Sequence, residues 1–326
     1  MLTMSVSPPM GAGPNRVRTR TMRNVIVGVD GTAASLGALA WAAETVGERG
    51  RIHAVVAVNP WTEYVVDVVT GDPVTYRDVI ETALAEQWTR DAASAVGELA
   101  TTVSIAPMST ALDRAARDDA ADAIVIGTHH GIAALGSVVK RIGHSTNQLL
   151  RRTVHPVVVV PSAPASIRPL EHGNVVVGIG HGDATRSAVR WAAHLARDRD
   201  ITIELLHSTG DAPVFQADGV LDLVRYEAGR GDQASWEVGH VEHFAELMQT
   251  LSGDELDIVV STPPGLAALR LDEASERSSL LVIGRHRSRL DGGRHTAQPL
   301  RHALTHASCP VAVIADHPAD DPVSVC

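Results

Sequence analysis

The chain has 326 residues, of which 44% are hydrophobic, and a formal net charge of −10. This length is about twice that of an ordinary domain of ~150 residues, which predicts two domains. The acidic balance disfavours nucleic acid and anionic membranes as partners, because phosphate groups attract basic surfaces. No apolar run reaches the ~18 residues of a membrane span, and the two cysteines, Cys309 and Cys326, indicate no disulfide framework. A cytoplasmic location is therefore expected.

Both halves alternate β-branched runs with segments that carry apolar residues at helical spacing. In the first half, strands are predicted at 25–29, 52–58, 103–106, 124–126 and 157–160, and helices at 34–48, 76–99, 110–117 and 144–151. In the second half, strands are predicted at 175–179, 201–206, 258–260, 281–283 and 311–314, and helices at 185–196, 241–251, 267–274 and 299–306. Residues 207–239, rich in Gly and Asp, support no assignment. Apolar strands separated by helices predict parallel sheets covered on both faces.

The two halves are copies of one unit. Residues 24–44 align with residues 174–194 without a gap, and nine of the 21 positions are identical, including Trp41 and Trp191. Two copies make a duplicated domain rather than a solenoid. The predicted boundaries are a disordered leader at 1–22, a first domain at 23–162, a linker at 163–172, a second domain at 173–316 and a tail at 317–326.

Motifs in this order resemble the universal stress protein family over residues 23–162 and 173–316. The matching segments are Val-Gly-Val-Asp-Gly-Thr at 27–32, Trp-Ala-Ala at 41–43, Ile-Gly-Thr-His at 126–129, Val-Ile-Gly-Arg-His-Arg at 282–287 and Ala-Leu-Thr-His-Ala-Ser-Cys-Pro-Val at 303–311. The resemblance implies an α/β fold with two open, mostly parallel five-stranded sheets, helices on both faces and a pseudo-two-fold axis (adenine nucleotide alpha hydrolase-like). It also implies that the closing strands pair across that axis, since an exposed apolar edge strand invites aggregation.

The resemblance implies an adenine nucleotide as the candidate ligand, because many members of the family bind ATP, although others do not. The family motif is Gly, two residues, Gly, nine residues, then Gly and Ser or Thr. Glycines let the backbone approach phosphates, and the helix that follows directs N–H groups at the anion. The implied site lies at the carboxyl ends of parallel strands, where an Asp after the first strand lines the adenosine side.

The first half keeps most of this pattern. Gly127 matches the first glycine and Gly143 the last, but 16 positions separate them where the motif has 13, and His130 stands at the second glycine. The candidate nucleotide-binding residues of the first half are Val29, Asp30, Gly127, Thr128, His130, Gly143, His144, Ser145 and Thr146.

The second half keeps the spacing and departs in identity. Arg287 replaces the second glycine, Ala297 and Gln298 replace Gly and Ser, and Gly180 replaces the Asp. The weaker candidates of the second half are Gly284, Arg285, Arg287 and Gln298.

Each candidate has a structural alternative that the sequence leaves open. Asp30 is also suited to a turn or a helix cap, and the hydroxyls of Ser145 and Thr146 cap helices without any phosphate. Gly127 and Gly284 are also suited to turning the chain, and Arg285 and Arg287 to a solvated loop. His302 and His306 have a zinc-compatible spacing but no accompanying Glu or Cys cluster. No metal is expected beyond Mg²⁺ accompanying a nucleotide.

No catalytic motif is present, neither a Gly-x-Ser-x-Gly elbow nor a Walker lysine motif. The leading hypothesis is a stress-response regulator that binds ATP or another adenine nucleotide in its first domain. The alternative is a protein-interaction module with decayed sites, and a third, lesser one is a slow ATPase. Whether the chain forms a homodimer is left open.

Overall fold

The structure is a computed structural model. It describes residues 22–58, 64–66, 73–128, 142–162, 170, 173–180, 183–197, 199, 201–208, 247, 257–285 and 298–316. The elements of the first half are β1 (Asn24–Gly28), α1 (Ala33–Val46), β2 (Arg51–Val58), β3 (Tyr64–Val66), β4 (Pro73–Thr75), α2 (Tyr76–Ala83), a π-helical turn (Leu84–Trp88), α3 (Arg90–Ala95), β5 (Glu98–Ile105), α4 (Met108–Asp118), β6 (Ala123–Gly127), α5 (His144–Arg152) and β7 (Val157–Val160).

The described elements of the second half are equivalent to β1, α1, β2, β5, α4, β6, α5 and β7 of the first. They are β8 (Asn174–Gly178), α6 (Asp183–Arg197), β9 (Thr202–Leu206), β10 (Ile258–Ser261), α7 (Ala267–Ser275), β11 (Leu280–Arg285), α8 (Gln298–His306) and β12 (Val311–Ala315). The unassigned segment at 207–239 and the helix predicted at 241–251 lie almost entirely outside the described residues.

The helix predicted at 76–99 is wrong in its last part. Helical structure ends at Ala95, and β5 begins at Glu98, five residues before the predicted start. At Gly97 a Cβ atom would lie 2.2 Å from the carbonyl oxygen of Glu48, so the chain turns there in close backbone contact. β5 then pairs with β2 along its whole length as an edge strand. Its mostly exposed residues give it no apolar run.

Ten strands form one sheet in the order β10-β9-β8-β11-β12-β7-β6-β1-β2-β5, and β3 and β4 pair antiparallel in a separate two-stranded sheet. The five strands that each half contributes to the large sheet are parallel, and their order is the same in both halves when read outwards from the centre. The closing strands β7 and β12 pair antiparallel, with Val158 opposite Ala312. The predicted pairing of the closing strands is confirmed, and it joins the two five-stranded sheets into one of ten strands.

Helices cover both faces of this sheet, as predicted. Val25 and Val27 belong to one apolar layer and Ile26 to the other, because successive side chains of a strand point to opposite faces. Each layer runs through both halves, so the halves share their core. Burying each such side chain contributes about 1.5–3 kcal/mol. No helix in the described part of the chain is long and apolar enough to cross a membrane.

Two arginines of the second half reach across the junction to helix ends of the first. Arg199 donates from Nη2 to the carbonyl oxygen of Thr45 (2.7 Å) in the last turn of α1. Arg285 donates from Nη2 to the carbonyl oxygen of Thr153 (3.0 Å), the C-cap of α5. Cations at helix C-termini satisfy the last carbonyl groups and interact favourably with the negative end of the helix dipole.

Candidate functional site

The strand order places a topological switch point in each half. From β1 the chain continues to β2 on one side and returns through β6 on the other. Open α/β sheets bind ligands outside the carboxyl ends of the strands at such a point. We call the space at the carboxyl ends of β1 and β6 the first crevice, and that at the ends of β8 and β11 the second crevice. Because β7 and β12 are antiparallel, the two crevices open at opposite edges of the sheet.

Asp30 lies exposed in the turn between β1 and α1. Its Oδ1 accepts hydrogen bonds from the backbone N–H (3.0 Å) and the hydroxyl (2.6 Å) of Thr32, the N-cap of α1. The N–H of Asp30 donates to the hydroxyl of Ser35 (3.2 Å). The preceding Val29 is buried and donates its N–H to the carbonyl of Val55 in β2 (3.0 Å). Asp30 therefore orders the turn and also presents its carboxylate to solvent.

Gly127 ends β6 against the first turn of α1. A Cβ atom at Gly127 would lie 2.2 Å from the carbonyl oxygen of Ala34, and a Cβ atom at Gly284 would lie 2.3 Å from that of Ala184. Real Cβ atoms do not approach backbone oxygens so closely, so helix packing alone requires glycine at both positions. These two glycines have a structural cause in both halves, with or without a ligand.

Thr128 is held by the chain that follows β7. The N–H of Thr128 donates to the carbonyl of Val160 (2.9 Å), and the carbonyl of Thr128 accepts a hydrogen bond from the hydroxyl of Ser162 (2.8 Å). The two hydroxyl oxygens are 3.1 Å apart. The backbone of Thr128 is thus held in place between the ends of β6 and β7.

The N-terminus of α5 lies at the same edge of the sheet as Asp30, since α5 must return the chain from the end of β6 to the start of the parallel strand β7. Its N-cap is Gly143, which has no side chain to satisfy the first helical N–H groups. Ser145 is exposed and Thr146 is half-buried, while His144 Nε2 lies 2.8 Å from Nε2 of Gln148. Unsatisfied N–H groups and the helix dipole make this end favourable for an anion.

Trp88 is a residue of this edge that sequence reasoning missed. A Cβ atom at Gly31 would lie 2.2 Å from Cζ2 of Trp88, so the indole rests on the turn that carries Asp30. Gly31 has a φ of +77°, a conformation that favours glycine. The contact joins residues 57 positions apart, and no local pattern in the sequence indicates it.

The second crevice keeps the scaffold and changes the polar groups. Gly180 takes the place of Asp30, and its N–H donates to the hydroxyl of Thr185 (3.3 Å), as that of Asp30 does to Ser35. The buried His207 at the end of β9 has Nδ1 3.0 Å from the carbonyl oxygen of Ile179.

Two further candidates of the second half lie at the ends of other elements. Arg285 extends from the end of β11 to Thr153 of the first half, and Gln298 is the exposed first residue of α8. His130 and Arg287 lie outside the described residues.

A family model described as the Universal stress protein family matches residues 21–161 and 171–315. The chain belongs to the universal stress protein family. A universal stress protein of Mycobacterium tuberculosis is 27% identical over 336 residues, covering 93% of this chain and 98% of the relative. Another, from Mycobacterium bovis, is 25% identical over 284 residues, covering 82% of this chain and 89% of the relative.

Solved structures of universal stress proteins have the same fold. One from Archaeoglobus fulgidus superposes with a TM-score of 0.62 at 12% identity and covers 91% of this chain and 99% of its own. A putative universal stress protein from Pseudomonas aeruginosa superposes with a TM-score of 0.54 at 15% identity, covering 91% and 94%. These likenesses establish a tandem universal stress protein fold.

Within this universal stress protein, the histidine pair on α8 is not arranged as a metal site. The rings of His302 and His306 stack with centroids 4.1 Å apart, and Nε2 of His302 lies 3.8 Å from a carboxylate oxygen of Asp272. Across the described segments, no group of three His, Cys, Asp or Glu side chains is placed to hold a metal ion. The first crevice brings two polar features to one edge of the sheet, the exposed carboxylate of Asp30 and the N-terminus of α5.

Proposed function

We propose that this universal stress protein binds an adenine nucleotide, ATP or a relative of it, in the first crevice, and that it acts in the cytoplasm as a nucleotide-dependent regulator of a stress response. The observation that carries the proposal is the placement of an exposed carboxylate, Asp30, at the same edge of the sheet as the N-terminus of α5. One end of the crevice therefore favours hydrogen-bond donors, and the other favours an anion.

These two ends set the orientation of the nucleotide. A carboxylate repels phosphates and accepts hydrogen bonds from ribose hydroxyls or an exocyclic amine, so the nucleoside lies beside Asp30. The phosphates lie at α5, where Gly143, His144, Ser145 and Thr146 offer backbone N–H groups and hydroxyls. A Mg²⁺ ion would arrive with the phosphates, since phosphate oxygens are its customary ligands.

The second crevice favours a different role for the second domain. It has Gly180 where the first has a carboxylate, and Arg285 is engaged with Thr153 across the domain junction. These observations support the alternative of an interaction module for this half of the chain. Slow hydrolysis of ATP is the lesser alternative, and phosphate release at the background rate would dispose of it.

Isothermal titration with ATP, ADP and cyclic AMP tests the proposal. We expect one site per chain, and Asp30→Ala should weaken binding roughly 10- to 100-fold, because hydrogen bonds to a charged group contribute ~1.5–3 kcal/mol. Asp30→Asn keeps the acceptor for Thr32 and serves as the control for the fold of the turn. Absence of binding heat at tens of micromolar protein, or unchanged binding by Asp30→Ala, would contradict nucleotide control.

A further inference from the structure

We propose that the indole of Trp88 is the stacking platform for the nucleotide base, and that it makes the first crevice prefer purines to pyrimidines. This inference rests on the proposed nucleotide site and adds to it a residue that decides base selectivity. It is drawn from the contact between Trp88 and the turn that carries Asp30.

The indole is placed directly on the turn between β1 and α1. Its atoms Cζ2, Cε2 and Cη2 would lie 2.2, 2.7 and 2.7 Å from a Cβ atom at Gly31. Only a residue without a side chain leaves room for this approach. Trp88 also packs against the apolar core, and the residue is half-buried rather than buried, so it keeps some exposure to solvent.

The backbone around Trp88 holds the ring in place. Trp88 is the last residue of the π-helical turn, in which one extra residue per turn changes the direction of the side chains that follow. The turn is anchored by Leu84, which is 1% exposed, and by Thr89, whose buried hydroxyl donates to the carbonyl of Leu84 (2.6 Å). π-helical turns inside helices occur frequently at functional sites.

The position of Trp88 matches the nucleoside end of the crevice. Gly31 directly follows Asp30, so the carboxylate and the indole flank the same turn. Phosphates are driven from the carboxylate towards α5, and the base and sugar are left beside the aromatic ring. Bases stack on aromatic side chains through their π-faces, and the larger purine ring system gains more from such a contact.

Titrations with ATP, CTP and inorganic tripolyphosphate test this inference on the full chain. Wild-type protein should bind ATP more tightly than CTP, with quenching of tryptophan fluorescence. Trp88→Leu should weaken ATP about tenfold and leave tripolyphosphate unchanged, whereas Trp88→Phe should retain most of the affinity for ATP. Trp191→Leu, at the half-buried repeat partner of Trp41, is the matched control and should change neither. Thermal unfolding identifies any variant that has lost its fold.

The outcomes separate the inference from the proposed function. Unchanged affinity for ATP in Trp88→Leu overturns the platform and leaves the nucleotide site standing. Tighter binding of ATP by Trp88→Leu also overturns it, because the indole then occupies the space of the base. If wild-type protein binds neither ATP nor tripolyphosphate, the proposed function fails, and the inference fails with it.

Discussion

The two domains have the same backbone arrangement at the carboxyl ends of their strands but carry different side chains there. In each, a residue at the carboxyl end of a central strand must be glycine because the first helix begins against it, at Gly127 in one copy and Gly284 in the other. In each, a hydroxyl accepts from the backbone N–H after the first strand. The side chain at that point is a carboxylate in Asp30 and absent in Gly180. The edge therefore folds without the group that would bind a ligand, which leaves that group free to diverge.

The opposite ends of the strands differ in the same manner. His53 in β2 lies opposite Ile26, and Glu204 in β9 lies opposite the repeat equivalent of Ile26. His53 Nδ1 lies 2.6 Å from the carboxylate of Asp119, whereas the buried Glu204 accepts two hydrogen bonds from Arg277. Both copies thus connect the equivalent strand to a helix end through a polar pair. The acidic partner is at the helix end in the first copy (Asp119) and on the strand in the second (Glu204). The geometry of the duplicated unit constrains where a pair lies, and leaves its chemistry open.

The largest expected effect tests the junction that relates the two copies. Val158→Lys would bury an unpaired charge at a position of 0% exposure, opposite Ala312, and should cost about 4 kcal/mol or more. Val154→Lys, at a residue 39% exposed just before β7, is the control and should cost about 0.5 kcal/mol or less. Urea unfolding measures both. Equal midpoints for the two variants would mean that the closing strands do not join the domains.

The next test concerns the glycines that the copies share. Gly127→Ala and Gly284→Ala should each destabilise the protein by about 3 kcal/mol, because the new methyl group meets a backbone carbonyl that cannot move aside. Gly143→Ala is the control, since the nearest atom to its Cβ would be the Thr146 hydroxyl at 3.7 Å. Thermal unfolding gives the order. A loss in one copy alone would break the equivalence of the two edges.

The polar pairs provide a smaller effect. Arg277→Met should cost about 2 kcal/mol, because it leaves the Glu204 carboxylate buried, with the partly exposed arginine limiting the loss. His53→Ala should cost about 1 kcal/mol. The side-chain hydrogen bond with Glu204 raises the pKa of Arg277 above its ordinary value. The stabilisation from the arginine is therefore present throughout neutral pH and lost only in strongly alkaline solution. A larger cost for His53→Ala, measured by urea unfolding, would reverse the comparison.

The smallest effect tests an asymmetry of the junction. Arg285 donates a hydrogen bond to the C-cap of α5 in the other domain, whereas its repeat equivalent Thr128 is hydrogen-bonded to Ser162 within its own domain. Arg285→Met should cost about 1 kcal/mol and speed hydrogen exchange in the last turn of α5. Arg114→Met, whose side chain is 82% exposed, is the control for loss of a surface charge. Unchanged exchange in α5 would show that Arg285 does not hold this helix.

The local sequence pattern was sufficient to predict the buried strands. The edge strand β5 and the contacts between distant residues could be located only in the structure. β1 and β7 were predicted within one residue of their bounds, because a β-branched run in a central strand has few alternatives. β5 was placed five residues late because an edge strand with exposed Thr101 and Thr102 has no apolar signature.

At the candidate site, motif spacing identified Asp30 and Gly127 but left the reason for each residue open. The close approach of Ala34 that demands Gly127, and the contact of Trp88 with Gly31, join residues far apart in the chain. Such contacts depend on how helices dock on the sheet, which neither propensity nor periodicity specifies. The structural role of Gly127 and the position of Trp88 could therefore not be obtained from the sequence.

The decisive experiment for nucleotide binding in the first crevice is a crystal structure of the protein grown with ATP and Mg²⁺. We expect a nucleotide in the first crevice, with its phosphates at the N-terminus of α5, its nucleoside beside Asp30, and no nucleotide in the second crevice. A nucleotide in the second crevice alone, or a first crevice that stays empty at saturating ATP, would contradict this expectation.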